Sequence, residues 1–347
     1  MDGQGATTTR ATVRRSDRVM VTGAAGFIGS HVVDALLARG NKVVAVDRRS
    51  PCADPVAAMN LADAATHPAL TSVVADLGTA DLAKLLVGCD TVVHLAAVPG
   101  VRTSWGGRFP DYVDANLLGT QRLVEACWAT GVQRLIVASS SSVYGARSAP
   151  SREIDPTGPV SPYGVTKLAA EQLCLAYARR ADSPTSVVVL RYFTVYGPRQ
   201  RPDMALGRVL ASALTGVPFP LYGDGQQRRE FTYISDAVAA TIAATEAPVS
   251  GGAVVNVGGG ATASMREVIE LAGEVTGRPV PVTAVHSQPG DVPVTAADLS
   301  QAQQLLNYWP EVCLRDGIQQ QFDWLMDLAP HQRTALLAEQ LPEVVTA

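Results

Sequence analysis

Lysine is nearly missing from this chain: Lys42, Lys84 and Lys167 are the only three among 28 basic residues, so each invites a reason for its place. Basic charge is also short overall. A net charge of -4 and a pI near 5.8 argue against nucleic acid or an anionic membrane as partner, because either selects a basic surface. Small molecules are the expected partners. The cysteines Cys52, Cys89, Cys127, Cys174 and Cys313 are odd in number, widely spaced and free of any C-x-x-C pair. That pattern excludes a disulfide framework and a thiolate metal site, and it suits a reducing cytoplasm. The five histidines are scattered without ligand spacing, so no metal is expected. No apolar run approaches the roughly 18 residues of a membrane span. No G-x-S-x-G elbow surrounds a serine, which removes the serine-hydrolase reading. Residues 1–16 contain no apolar core and read as a flexible tail.

What the chain does have is alternation. Short apolar runs at 18–21, 42–46, 71–75, 91–97, 134–138 and 186–190 are separated by helical patterns, of which 30–40, 116–131 and 163–180 are the clearest. Strands alternating with helices predict an α/β fold, a parallel sheet covered on both faces. After about residue 192 the pattern loosens into Pro- and Gly-rich connections around shorter elements, which predicts a smaller lobe. The run 253–259 returns the chain to the first sheet, so the lobes interleave. The expected division is 17–192 plus about 233–260 for the first lobe and 193–232 plus 261–328 for the second, with 329–347 as a tail or surface helix.

The stretch MVTGAAGFIGS follows the first strand and opens the first helix, placing Gly23, Gly26 and Gly29 in G-x-x-G-x-x-G spacing. Without side chains there, backbone N–H groups can approach a pyrophosphate at a helix N-terminus. Asp47 ends the second strand, where its carboxylate accepts bonds from a ribose and repels a 2′-phosphate, favouring NAD over NADP. Arg48 and Arg49 temper that preference or are simply solvated. Asp76 ends the third strand and faces an adenine amine or caps the next helix.

Tyr163 and Lys167 are four residues apart in SPYGVTK and share one helix face. The ammonium is expected to favour the phenolate and lower its pKa from about 10 toward a value useful in proton transfer. The strand tip ASSSSVYG, residues 138–145, adds four hydroxyls that need partners. His94, in an apolar strand, reads as a hydrogen-bonded core residue.

As a set, TGAAGFIG, Asp47, HLAA (94–97), ASSSSVYG, SPYGVTK, RYFTVYGP (191–198) and YGDGQQRREFTY resemble the extended short-chain dehydrogenase/reductase family, over roughly residues 17–325. The similarity is to its NAD-dependent nucleotide-sugar epimerases, most of all actinomycete UDP-glucuronate 4-epimerases. It implies a Rossmann-type doubly wound parallel sheet with a smaller interleaved α/β substrate-binding lobe, NAD as cofactor, a UDP-sugar substrate and a homodimer formed through the helices at 116–131 and 163–180. On the cofactor side it implies Gly23, Gly26, Phe27, Ile28, Gly29, Asp47, Arg48, Asp76, Leu77, Leu95, Ala96, Ala97, Asn116 and Tyr192, beside Tyr163 and Lys167. On the substrate side it implies Pro99, Ser140, Ser141, Ser142, Tyr163, Thr194, Arg201, Tyr222 and Arg229. Tyr163 is the implied base, and Ser140, with Ser141 next to it, the hydroxyl partner of the reacting oxygen.

Sugar dehydratases in this family carry an Asp-Glu pair where this chain has Ser141 and Ser142, and decarboxylases a Glu at Ser142. Oxidation and re-reduction are therefore expected without elimination. Arg201 or Thr194 suits a carboxylated sugar. Arg102 reads as a surface-loop arginine and Arg228 as solvated. Gln288 and Pro293 stand where relatives place an arginine, which implies fewer charges on the diphosphate. The expected activity is UDP-glucuronate 4-epimerisation. The rivals are a neutral-sugar epimerase, a UDP-glucuronate decarboxylase, or a non-catalytic NAD-binding regulator.

Overall fold

The computed structural model describes residues 17–286 and 290–340. Gln288 and the tail expected at 1–16 lie outside the described residues. The apolar runs become strands β1 Arg18–Thr22, β2 Lys42–Asp47, β3 Leu70–Val74, β4 Thr91–His94, β5 Arg134–Ser140 and β6 Ser186–Tyr192. Between them lie α1 Phe27–Ala38, α2 Pro55–Asn60, α3 Leu82–Leu85, α4 Phe109–Tyr112, α5 Gly119–Thr130 and α6 Pro162–Ala178. Next come β7 Val195–Tyr196, α7 Ala205–Thr215, β8 Phe219–Tyr222, β9 Arg228–Glu230, β10 Thr232–Tyr233, α8 Ile234–Glu246 and β11 Gly252–Val257. The remainder is β12 Thr262–Ser264, α9 Met265–Thr276, β13 Val282–Val285, β14 Val294–Thr295, α10 Ser300–Leu306, α11 Leu314–Asp327 and α12 Pro330–Gln340.

Seven strands pair in parallel in the order β3-β2-β1-β4-β5-β6-β11. The order reverses between β1 and β4, and such a switch point opens a crevice at the carboxyl ends of the strands. Period-two alternation fills both faces. Val19 and Val21 join a core that includes α1 and α8, whereas Met20 joins the opposite core with Leu123, Val124, Cys127 and Cys174 of α5 and α6. Beside this sheet stand three small ones: β12-β9-β14, β13-β8 and β10-β7.

Two expectations shift. The strand expected to reach residue 97 stops at His94: Leu95 N still donates to the Thr22 carbonyl, but Ala96 N leaves the ladder for Thr22 Oγ1 at the switch point. The helix expected from 116 begins with a π turn, Val113–Leu118, that a 3.6-residue pattern cannot reveal. Of the two forms expected for the C-terminal segment, its described residues take the helical one, α12, which packs on α7 and buries Leu336.

Candidate active site

The glycine loop leaves no room for side chains. Gly23 has φ +68°, and a Cβ on it would stand 2.7 Å from the Ala96 nitrogen; a Cβ on Gly29 would meet the Gly23 carbonyl oxygen at 2.0 Å. Gly26 caps α1 with no side-chain bond, so the first-turn N–H groups of Phe27 and Ile28 remain for an anion. Asp47 accepts from Ala25 N at 3.0 Å and Arg49 N at 2.9 Å, which fixes its carboxylate beside the loop with lone pairs left for ribose hydroxyls. Arg48 is exposed, whereas Arg49 folds back onto the Ala25 carbonyl and lies 3.8 Å from Asp47. The cradle and the carboxylate fit a dinucleotide.

Asp76 does not cap the next helix. Its Oδ1 accepts from Gly78 N at 2.7 Å, and Asp81 caps α3. Leu77 is buried in the core on the α5 side. Two implied cofactor residues direct their polar groups inward instead. The Asn116 amide accepts from Val98 N at 2.7 Å and donates to Val98 O and Thr166 Oγ1, and Tyr192 shares its hydroxyl with Thr241 at 2.7 Å. Asn116 thereby ties the exit of β4 to α6. Pro99 belongs to the same exit, its carbonyl accepting from the Tyr112 hydroxyl at 3.0 Å.

Ser161 starts α6 by accepting from Gly164 N at 3.1 Å, with Pro162 pre-set in the first turn. Tyr163 follows at once, beside the Ser140 hydroxyl and met edge-on by the Tyr112 ring at 6.3 Å. Its pKa is raised, not lowered as expected: burial dominates, the Ser140 hydroxyl and Arg201 oppose it, and Tyr112 adds to it. Lys167 is itself buried, and burial brings its pKa down to about 8 against the pull of Cys174 and Glu171. The cation acting on the phenol is Arg201, not Lys167.

The four serines divide their work. Ser139 donates to Glu171 at 2.9 Å; Ser140 stands beside the Tyr163 phenol and accepts from Ser142 N at 3.1 Å; Ser142 Oγ accepts from Ser140; and the Ser141 carbonyl accepts from Tyr144 N to close the turn. Glu171 and Arg191 form a buried pair behind this tip, with Arg191 over the Tyr144 ring at 4.7 Å. Neither charge stood out in the sequence, although Glu171 lies one further helical turn along the Tyr163–Lys167 face.

On the substrate side, Arg201 lies near enough to act on Tyr163 and is held bidentately by Asp203 at 2.9 and 2.8 Å. Half-buried Thr194 accepts from Thr232 N through its carbonyl. Arg229 donates to the Arg228 carbonyl at 2.9 Å, and burial lowers its pKa, with Asp291 opposing and Arg102 adding to the shift. Two surface arginines prove to be partnered. Arg102 is exposed as expected, yet it stacks over the Tyr222 ring at 3.8 Å and pairs with Asp291 at 2.9 Å. Arg228 is only partly solvated; it donates to Thr262 and pairs with Glu267 at 3.0 Å. Pro293 is exposed, and its carbonyl accepts from Arg228 N. Arg102, Asp203, Phe219 and Tyr222 line one cleft of about 70 Å³. A larger hollow of about 460 Å³, lined by Ala83, Asp90 and Thr130 among others, lies at the opposite strand ends and holds none of these groups.

The NAD dependent epimerase/dehydratase family profile matches residues 19–258. The "Uncharacterized UDP-glucose epimerase YtcB" of Bacillus subtilis (strain 168) is 42% identical, over 90% of this chain and 98% of its own length. Among solved structures, MoeE5 in complex with UDP-glucuronic acid and NAD is 46% identical with a TM-score of 0.83, covering 89% of this chain and 99% of that one. MoeE5 is also solved with UDP-glucose and NAD. The UDP-glucuronic acid 4-epimerase of Bacillus cereus, in complex with UDP-glucuronic acid and NAD, is 42% identical with a TM-score of 0.84, covering 88% and 98%.

Proposed function

The chain belongs to the NAD dependent epimerase/dehydratase family, and from that premise we propose that it is a UDP-glucuronate 4-epimerase. The observation that carries the reading is the Tyr163 phenol set beside the Ser140 hydroxyl and within reach of the Arg201 cation. Bound at the glycine loop, NAD would supply a reversible acceptor for the C4 hydride, so that either face of the 4-keto sugar could be reduced again. Tyr163 takes the proton from the C4 hydroxyl and later gives it back, so no net oxidation results. Ser140, beside the phenol, holds the same oxygen. Lys167 and Gly23, Gly26 and Gly29 hold the cofactor, with Asp47 on its ribose.

The 4-keto sugar formed from a glucuronate is a β-keto acid. It loses carbon dioxide when the C5–C6 bond lies parallel to the carbonyl π orbitals. Arg201 and Thr194 grip the carboxylate away from that alignment, and Ser141 and Ser142 offer no acid for elimination. Arg229, with Tyr222, holds the nucleotide diphosphate end. The exposed Leu118 and Val165, before α5 and on α6, support a homodimer through those helices.

A second reading, a neutral-sugar 4-epimerase, is favoured by the Asp203 carboxylate that already neutralises Arg201. One experiment separates the two. Purified protein is incubated with UDP-glucuronate, without added NAD, and the nucleotide sugars are separated. UDP-galacturonate supports the proposal, UDP-xylose supports decarboxylation, and unchanged starting material alongside turnover of UDP-glucose supports the neutral-sugar reading.

A further inference from the structure

Arg201 is the last residue of a segment that is fastened at each of the three positions before it. Gly197 has φ +138°, and a Cβ there would stand 2.5 Å from Ile234 Cγ2, so the chain enters the segment in a conformation that requires glycine. The Pro198 carbonyl accepts from His31 Nε2 at 2.9 Å. Burial holds the His31 pKa down to about 4, so at neutral pH the ring is uncharged and gives this bond as an ordinary N–H donor. Arg199 follows with φ 62°, one of two non-glycine residues with positive φ among the described residues. That conformation costs roughly 1–2 kcal/mol for an L-residue and persists where the surroundings impose it. Here they do. The Arg199 side chain is 11% exposed and forks between Asp34 at 2.6 Å and Asp63 at 2.7 Å. Buried Gln200 then accepts from Gly207 N at 3.1 Å and from Gln321 Nε2 at 3.0 Å.

His31 and Asp34 are three residues apart on α1, the helix whose N-terminus is the glycine loop. The fastening therefore runs from the cofactor helix to the guanidinium that acts on Tyr163. We propose that Arg199 is a positioning residue, which acts through Arg201 by locking the Gly197–Asp203 segment to α1. Its guanidinium is taken up by Asp34 and Asp63. The inference rests on the reading of Arg201 as a substrate contact, and it adds what puts that contact in place.

A double-mutant cycle tests it, read as kcat/KM with whichever UDP-sugar the parent enzyme turns over. Arg199→Ala is expected to lower kcat/KM about tenfold in the parent and less than about twofold in an Arg201→Ala background, because the second variant has nothing left to misplace. Arg199→Lys, which keeps one of the two ion pairs, should restore part of the loss. A general loosening of the fold lowers both backgrounds equally, so equal losses overturn the inference and leave Arg201 standing. If Arg201→Ala itself leaves kcat/KM unchanged, the reading of Arg201 fails and takes this inference with it. Should Arg199→Ala not fold, Asp34→Asn, which neutralises one partner, is run through the same cycle with the same two outcomes.

Discussion

Tyr163 and Lys167 were legible as a pair because a helix repeats every 3.6 residues, but their electrostatics were not. Spacing shows that two groups share a face. It does not show how much water each keeps. Burial raises the Tyr163 pKa and lowers that of Lys167 to about 8, so each group resists its charged form. Tyr163→Phe should cut turnover by at least about a thousandfold while the protein retains its cofactor, as read by product formation and by the nucleotide released on denaturation. Residual turnover within tenfold of the parent would remove the phenol from the reaction. For Lys167 the folded pKa lies below the unfolded one near 10.4. The lysine loses its charge in the native protein above about pH 8, and between there and the unfolded value stability rises with pH. Cofactor affinity should therefore weaken above about pH 8, and Lys167→Met should abolish that limb in a titration of binding against pH. Arg102 and Arg228 show the opposite limit of the sequence. Their partners Tyr222, Asp291, Thr262 and Glu267 lie 34 to 189 positions away, a relation no local pattern carries.

Among the elements, the strand tip Ser139–Ser142 was legible only as a demand, since four adjacent hydroxyls at the end of a buried strand need partners; the role of Ser140 came from the family resemblance. The π turn Val113–Leu118 gave nothing away. It places Asn116 where the amide reaches Val98 on the β4 exit and Thr166 between Tyr163 and Lys167. A regular helix would rotate that side chain off the line. Asn116→Ala leaves the Val98 N–H and carbonyl buried without these bonds, at a cost of about 1–3 kcal/mol. The expected result in urea unfolding is a lower midpoint at unchanged slope, accompanied by loss of kcat beyond what the unfolded fraction explains. An unchanged midpoint would show that water replaces the amide. The glycine loop belongs to this scale too. Its three glycines were readable since a strand, a tight turn and a helix N-terminus follow in the order a pyrophosphate requires, and the 2.0 Å approach of a Gly29 Cβ to the Gly23 carbonyl is the steric reason.

For the molecule as a whole, the parallel sheet followed from alternating apolar runs. The β3-β2-β1-β4-β5-β6-β11 order needed coordinates, since strand neighbours are set by crossovers and not by sequence adjacency. The small sheets were not legible: β7, β10 and β14 are two residues long, too short for any periodicity. Global stability carries its own pH signature. His94 is fully buried between Thr22 Oγ1 at 2.7 Å and Thr120 Oγ1 at 2.9 Å, and burial, with Lys167, holds its pKa down to about 3; His31 sits at about 4. Both folded values lie below the unfolded value near 6.5, so the unfolded chain binds more protons between them. Stability should fall as pH drops from about 6.5 toward 3 to 4, with His94 alone contributing on the order of 3–5 kcal/mol at the acid end. Chemical unfolding at pH 7 and pH 5 checks this, and a pH-independent midpoint would mean that His94 takes up a proton in place.

The central claim is that the C4 hydride leaves and returns on one enzyme molecule. UDP-glucuronate deuterated at C4, turned over in ordinary water and analysed by mass spectrometry, measures that directly. The account predicts UDP-galacturonate that keeps its deuterium at C4. A C4 hydrogen drawn from solvent, or a product one carbon dioxide lighter, would contradict it.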